Sequence, residues 1–274
     1  MEFDEKDIKA HSEEARAKGL TFHRRDVSEV ANKSKGNLGY VDCPKCLNRG
    51  VIYYDNLETG NLCCRYCECM NIRNAYKQMD KDGVLTQVQK SKFENFITKE
   101  AWQEKIKETA KKFCEDVGRM FYIGGSSGCG KSHICSAILG NLTNKTERMS
   151  RYMAWTSDIK KITRYQFEDK DLFIETMDSF MKAPILYIDD FLKPIGDKIP
   201  STQQLSIAFD IIDYRYKNPK LITIISSEYW VEEIMEMDEA LGSRIYEMSD
   251  GYRLKIKKDS SRNFRTNGDA EIWH

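Results

Sequence analysis

The 274-residue sequence carries no excess of charge: 43 lysines and arginines balance 43 aspartates and glutamates. No global basic field therefore draws it to nucleic acid, and any such contact must come from a local patch. It also has no apolar run near the ~18 residues that a membrane-spanning helix needs. Its start, Met1-Glu2-Phe3-Asp4-Glu5-Lys6-Asp7, is acidic and lacks the apolar core of a secretory leader. A membrane role is not expected, and a cytoplasmic location is. What is plentiful is cysteine, with nine residues. In a reducing compartment these serve as metal ligands or buried thiols rather than disulfides.

Gly125-Ser126-Ser127-Gly128-Cys129-Gly130-Lys131-Ser132 matches G-x-x-x-x-G-K-[ST] in full, directly after the apolar run Met120-Phe121-Tyr122-Ile123. Glycines at both ends let successive N–H groups converge on a β-phosphate, and a helix starting near Lys131 adds its positive end. Lys131 then reaches the β/γ-phosphates of a nucleoside triphosphate, and Ser132 offers a hydroxyl to Mg²⁺. The strand before and the helical spacing Ile134, Ile138, Leu142 after set this apart from a chance Gly/Ser loop.

Six of the nine cysteines fall between Cys43 and Cys69, which marks a separate small module. Cys43-Pro44-Lys45-Cys46 is one C-x₂-C pair. Cys63-Cys64-Arg65-Tyr66-Cys67-Glu68-Cys69 offers two further pairings, Cys64 with Cys67 or Cys67 with Cys69. Two ligand pairs around a hairpin-like stretch from Val51 to Leu62 make a tetrahedral thiolate site for Zn²⁺, with an iron–sulfur cluster or reduced thiols as the alternatives. Residues 1–42, with a polar helix over Asp4 to Gly19, form an N-terminal segment that frays or orders on a partner. Residues 43–82 hold the cysteine module and a following helix, 83–92 a linker, and 93–274 the nucleotide-binding domain.

From Thr98, a suitable N-cap, Trp102, Ile106 and Phe113 follow helical spacing. Strands and helices then alternate to the end, which implies a parallel sheet flanked by helices, with ligands beyond the carboxyl ends of its strands. Ile185-Leu186-Tyr187-Ile188 ends in Asp189-Asp190, where Asp189 would hold the Mg²⁺ shell and Asp190 would orient or deprotonate water. Leu221 to Ile225 ends in Ser226-Ser227-Glu228, a polar tip able to touch the γ-phosphate or to form a turn. Lys160, Lys161 and Arg164 alternate with Tyr165 and Phe167, a pattern that suits single-stranded DNA or a solvated helix face.

This arrangement resembles the AAA+ ATPases, and among them the DnaC/DnaI-type loaders of replicative helicases. The resemblance rests on the two Walker segments, on Phe93-Glu94-Asn95-Phe96, on His133 after the P-loop serine, and on Asp189-Asp190-Phe191-Leu192-Lys193. It also rests on Ala240-Leu241-Gly242-Ser243-Arg244-Ile245, on Asn263-Phe264-Arg265, and on the cysteine module with Cys67-Glu68-Cys69-Met70. It implies a slow, partner-regulated ATPase that binds a DnaB-type hexameric helicase and helps place it on single-stranded DNA. It further implies self-association through AAA+ interfaces, Arg244 acting as an arginine finger in a polar turn, Arg265 as a sensor, and Ser226 or Ser227 as the first sensor. For zinc it implies Cys43, Cys46, Cys67 and Cys69. The chain departs from the family pattern in carrying Asp189-Asp190 where Asp-Glu is usual. IstB-like transposition ATPases share the core motifs, and a zinc-module nucleic-acid reader with an incidental ATPase is a third reading.

Overall fold

The computed structural model describes residues 25–258 apart from 57, 58, 60, 197 and 198. The expected helix over Asp4 to Gly19 and the expected sensor Arg265 lie outside the described residues. The chain divides into two compact units, Met1–Arg73 and Asn74–His274.

In the first unit, helix α1 (Arg25–Lys33) lies on a hairpin of β1 (Val51–Asp55) and β2 (Leu62–Tyr66), paired antiparallel from Val51↔Tyr66 to Asp55↔Leu62. Asn32 joins helix to strand, its amide donating to the Tyr53 carbonyl at 2.9 Å and accepting the Tyr53 N–H at 3.0 Å. Helix α2 (Cys69–Lys81) starts in this unit and runs into the next. Its Arg73 is buried and gathers the loop before the hairpin, donating to the carbonyls of Leu38, Gly39 and Val41 and to Asn48 Oδ1.

The second unit is a five-stranded sheet in the order β4 (Ser150–Ala154), β5 (Ile185–Phe191), β6 (Ile222–Ser227), β3 (Met120–Gly124), β7 (Arg253–Lys255), with every pairing parallel. Its central strands are apolar at successive positions because both faces are covered. Phe121, Ile123, Ile185, Tyr187, Ile222 and Ile224 join one core, with α3 (Leu85–Lys90), α4 (Ala101–Asp116) and α5 (Lys131–Thr146). Met120, Tyr122, Leu186, Ile188 and Ile225 face the other, with α6 (Trp155–Glu168), α7 (Lys170–Met181), α8 (Thr202–Lys217), α9 (Val231–Met237) and α10 (Glu239–Met248). The α/β fold with helices on both faces of a parallel sheet is as the sequence implies.

Two local expectations differ from the structure. The stretch read as a linker contains α3, because Leu85 and Val88 share one helical face and are buried against α5. Gly140 makes this approach possible: a Cβ there would lie 2.8 Å from Val88 Cγ1. Helix α4 is capped at Glu100 rather than Thr98, since buried Gln103 turns its amide oxygen back onto the N–H groups of Lys99 and Glu100 at 2.6 and 2.8 Å.

Arg215 of α8 is a second structural arginine. Fully buried, it donates to Thr223 Oγ1 at 2.8 Å and to the carbonyls of Phe180, Met181, Ala183 and Ile222 at 2.6–3.2 Å. It thus ties the ends of α7 and α8 to the start of β6. Removing the head group relieves one buried charge but leaves several buried acceptors unpaired, at roughly 1–3 kcal/mol each. Arg215→Met, which keeps most of the volume, is expected to lower unfolding free energy by on the order of 3 kcal/mol. Urea denaturation checks this, and an unchanged midpoint would contradict it.

Candidate functional site

The carboxyl ends of β3, β5 and β6 converge at one edge of the sheet. Because β6 lies between β3 and β5, its tip separates the P-loop strand from the strand carrying Asp189. After Gly124 the chain turns through Gly125 at φ +151°, where a Cβ would meet Ile256 Cβ at 2.7 Å, and enters α5 through Gly130 in the left-handed region. Phe96 lies beside Gly130, 3.1 Å from where a Cβ would sit, so Phe93-Glu94-Asn95-Phe96 backs the loop. Within the loop, Cys129 is buried and its thiol donates to the Ser126 carbonyl at 2.9 Å, while Ser127 is exposed. Lys131 is almost buried and its ammonium donates to the carbonyls of Gly125 and Ser126 at 2.8 and 2.7 Å. It therefore lies back along the loop it would serve.

Asp189 is the centre of the site. Its Oδ1 accepts from Ser132 Oγ at 3.0 Å, from Tyr187 Oη at 2.7 Å and from Ser226 Oγ, and its Oδ2 accepts from Tyr152 Oη at 3.2 Å. The P-loop serine and this carboxylate thus meet as a Mg²⁺ site requires, both being oxygen ligands suited to that ion. The two tyrosines pack edge to face with ring centroids 5.3 Å apart. Burial first, and then the charge of Asp189, push both phenol pKa values above their usual range, so both remain protonated donors. Sequence reasoning missed these tyrosines. For Tyr187 the signal was available, since a residue two before Asp189 on a strand lies on the same face.

Other expected site residues are placed differently. A bulge between Ile188 and Phe191 puts Asp190 at φ 54°, with its N–H on Ser226 Oγ at 3.3 Å. Its carboxylate turns to Lys193 at 3.1 Å, and Lys193 in turn pairs with Glu228 at 3.1 Å. The structure therefore joins Asp190 to a lysine rather than to the P-loop serine. Ser227 is fully buried and spends its hydroxyl on the Phe191 carbonyl at 2.8 Å, leaving Ser226 as the tip serine that touches Asp189. His133 sits outward from the loop, with its ring nitrogen 3.2 Å from the Lys92 carbonyl and its ring against Phe96. Arg244 is in helix α10, where the sequence reading expected a turn. Its guanidinium pairs with Asp213 at 2.8 Å, donates to the Ala240 carbonyl at 2.8 Å and packs on Phe209 and Tyr216.

In the first unit the thiols of Cys43, Cys46, Cys67 and Cys69 lie within 4.8 Å of one another. Cys43 and Cys67 are 3.7 Å apart, and Cys46 and Cys69 3.6 Å apart. Tetrahedral Zn²⁺ with bonds of ~2.3 Å spaces its sulfurs by about 3.8 Å, so this donor set fits zinc. A polynuclear iron–sulfur cluster needs a wider cage. The knuckle after Cys46 is built by the left-handed residues Leu47, Asn48 and Gly50. It lets the Gly50 N–H reach Cys46 Sγ at 3.4 Å, while Arg73 Nε reaches Cys69 Sγ at 3.5 Å. Cys64 sits on β2 opposite Tyr53 and is exposed, so the pairing of Cys64 with Cys67 allowed by spacing is not the one formed.

The fold and this arrangement of P-loop and strand tips define a P-loop nucleotide-binding domain built on a parallel sheet, preceded by a four-thiolate module that can bind zinc. No family model matches the chain. In sequence it is 27% identical to the uncharacterized protein YqaM of Bacillus subtilis (strain 168), over 84% of this chain and 87% of that one. It is 28% identical to the phage-like element PBSX protein XkdC of the same organism, over 82% and 85%. Among solved structures it is similar to the DnaC helicase loader, with a TM-score of 0.51 and 23% identity over 63% of this chain and 99% of that one. It is also similar to the replication initiator DnaA bound to AMPPCP and single-stranded DNA, with a TM-score of 0.51 and 20% identity over 67% of this chain and 55% of that one. These likenesses are of fold.

Two predictions test the site. Zinc is expected at one per chain, lost in Cys67→Ser and Cys69→Ser and retained in Cys64→Ser; metal analysis of the purified variants decides, and loss in Cys64→Ser would overturn the ligand set. Tyr187→Phe and Tyr152→Phe are expected to weaken Mg²⁺-dependent nucleotide binding by about three- to tenfold each, since each removes a hydrogen bond to a charged group worth ~1 kcal/mol or more. Binding measured across Mg²⁺ concentrations separates this from a general loss of fold, which would lower Mg²⁺-free binding equally.

Proposed function

We propose that this protein is an ATP-controlled loader that binds a DnaB-type hexameric replicative helicase in the cytoplasm and helps place it on single-stranded DNA as replication begins. The observation that carries the reading is the meeting of Ser132 and Asp189 at 3.0 Å beneath a complete P-loop, in a chain whose fold is similar to a DnaC helicase loader and whose first unit holds a four-thiolate cluster. In this reading the N–H groups of residues 125–132 cradle the β-phosphate, and Lys131 leaves its loop carbonyls for the β/γ-phosphates. Ser132 and Asp189 hold Mg²⁺, and Ser226 senses the γ-phosphate region through its bond to Asp189.

Asp190 acts on the attacking water once Lys193 releases it, which fits a slow ATPase that a partner regulates. Arg244 leaves Asp213 to complete the site of a neighbouring subunit in the self-assembled state, and Arg265 serves as a second sensor. ATP works mainly as a conformational switch. The N-terminal segment, residues 1–42, and the zinc module meet the helicase. Single-stranded DNA runs along α6, where Lys160, Lys161 and Arg164 are exposed, Phe167 is 80% exposed and Tyr165 half-buried. Phe167 is the aromatic best exposed to stack on a base, with Tyr165 partly exposed beside it.

Size-exclusion chromatography with a hexameric replicative helicase, with ATP and without, tests the reading directly. Co-elution that depends on residues 1–42 is expected, and its absence in both nucleotide states would reject the loader assignment. Within that assembly, Lys131→Ala is expected to lose nucleotide binding and Arg244→Ala to lose at least ~10²-fold in hydrolysis, well-placed arginine fingers being worth ~10³-fold or more. Mixing the two inactive variants should restore part of the activity through composite sites. No recovery in a demonstrated mixed assembly would remove Arg244 from the mechanism.

A further inference from the structure

At the amino ends of β3 and β6, the sheet edge opposite the P-loop, Arg119, Arg148 and Lys220 line a cavity of about 370 Å³ together with Val117, Pro219 and Ile222. The volume suits a small ligand. Its charges are of one sign: none of the lining residues is a carboxylate, and among the described residues none of the three cations pairs with one. Two of the head groups are held in place. Arg148 Nη2 donates to the Lys220 carbonyl at 2.8 Å, while Arg119 donates to the Tyr216 carbonyl and stacks on the Tyr216 ring at 5.1 Å.

Two further observations add to the positive character of this region. Arg119 Nε is buried and makes no hydrogen bond to another protein group, so that N–H is not committed to a protein acceptor. Behind the cavity wall Arg215, bonded to the carbonyl of the lining residue Ile222, is fully buried with only neutral acceptors. Burial, and after it the charge of Arg148, push its pKa down to about 9, so it still carries a charge at neutral pH. Four cations therefore share one small region without a carboxylate among their bonded partners, and guanidinium forks with an ammonium suit the oxygens of a tetrahedral oxyanion.

We propose that this cavity is a phosphate-binding site distinct from the P-loop, which takes either a free phosphate ester or a backbone phosphate of nucleic acid. Its basis is independent of the loader reading, and it stands or falls separately. The full-length Lys131→Ala chain, whose P-loop is disabled, is titrated calorimetrically with inorganic phosphate and, separately, with oligothymidylate. The comparison is the same chain carrying Arg148→Gln and Lys220→Gln, which spares Arg119 and its contact with Tyr216. Lys220→Gln alone, at an exposed position, guards against a folding defect and is expected to act in the same direction with smaller size.

The site predicts affinity weakened about tenfold or more by the pair of changes, since charge-assisted bonds are lost. Weakening for oligothymidylate, with a salt slope reduced by about one, assigns the site to a nucleic-acid backbone. Weakening for inorganic phosphate alone assigns it to a free ester. If neither ligand binds the Lys131→Ala chain, or if both bind the substituted chain equally well, the proposal is overturned.

Discussion

The carboxylate of Asp189, held by hydroxyls from three strands and the P-loop helix, is the constraint around which the second unit is arranged. Ser132 reaches it from α5, Tyr152 from β4, Tyr187 from its own strand and Ser226 from β6. Such a cluster forms only if the strands are parallel, so that their carboxyl ends share one edge, and only if β6 is inserted between β3 and β5. The apolar strands supply the driving force by burying both faces of the sheet. The hydroxyls then satisfy a charge that would otherwise be costly beside that core. Packing and chemistry thus specify the same register.

The first unit solves a different problem. Its hairpin and short helix offer little apolar surface, so cohesion comes from four thiols and two polar hubs, Asn48 and Arg73, that collect backbone groups around them. In a module of this size the free energy of metal binding is folding free energy. Burial holds the second unit, while the first carries a thiolate cluster whose metal binding would add to its folding free energy.

Hydrogen bonds and ion pairs within the chain engage several of the expected catalytic groups. Lys131 lies on the loop carbonyls, Asp190 on Lys193, and Arg244 on Asp213. Each is an interaction that a phosphate, a water molecule or a neighbouring subunit would have to replace. The cost of exchange is smaller for the half-exposed Lys193 pair than for Arg244, which is mostly buried and packed on Phe209 and Tyr216.

Much of this was legible in the amino-acid sequence because it is local. The P-loop is a run of eight residues whose glycines have one use, the strands reveal themselves as short apolar runs, and clustered cysteines announce a thiolate module. Spacing alone could not choose Cys69 over Cys64, because Cys64 lies on β2, paired with Tyr53 and exposed, while Cys69 opens α2 beyond the hairpin, where its thiol meets Cys46. Nor could it place Asp190, whose direction is set by a bulge that exists only against β6, or choose Ser226 over Ser227, which follows from the period-two alternation at a particular register. Leu85 and Val88 read as linker because a single turn of apolar spacing is too weak a signal until α5 presents Gly140 to receive it. The sequence by itself determined which chemistries the chain carries, since motifs are contiguous in the chain. Only the tertiary structure decided which side chains meet, since strand order and register join residues that are dozens of positions apart.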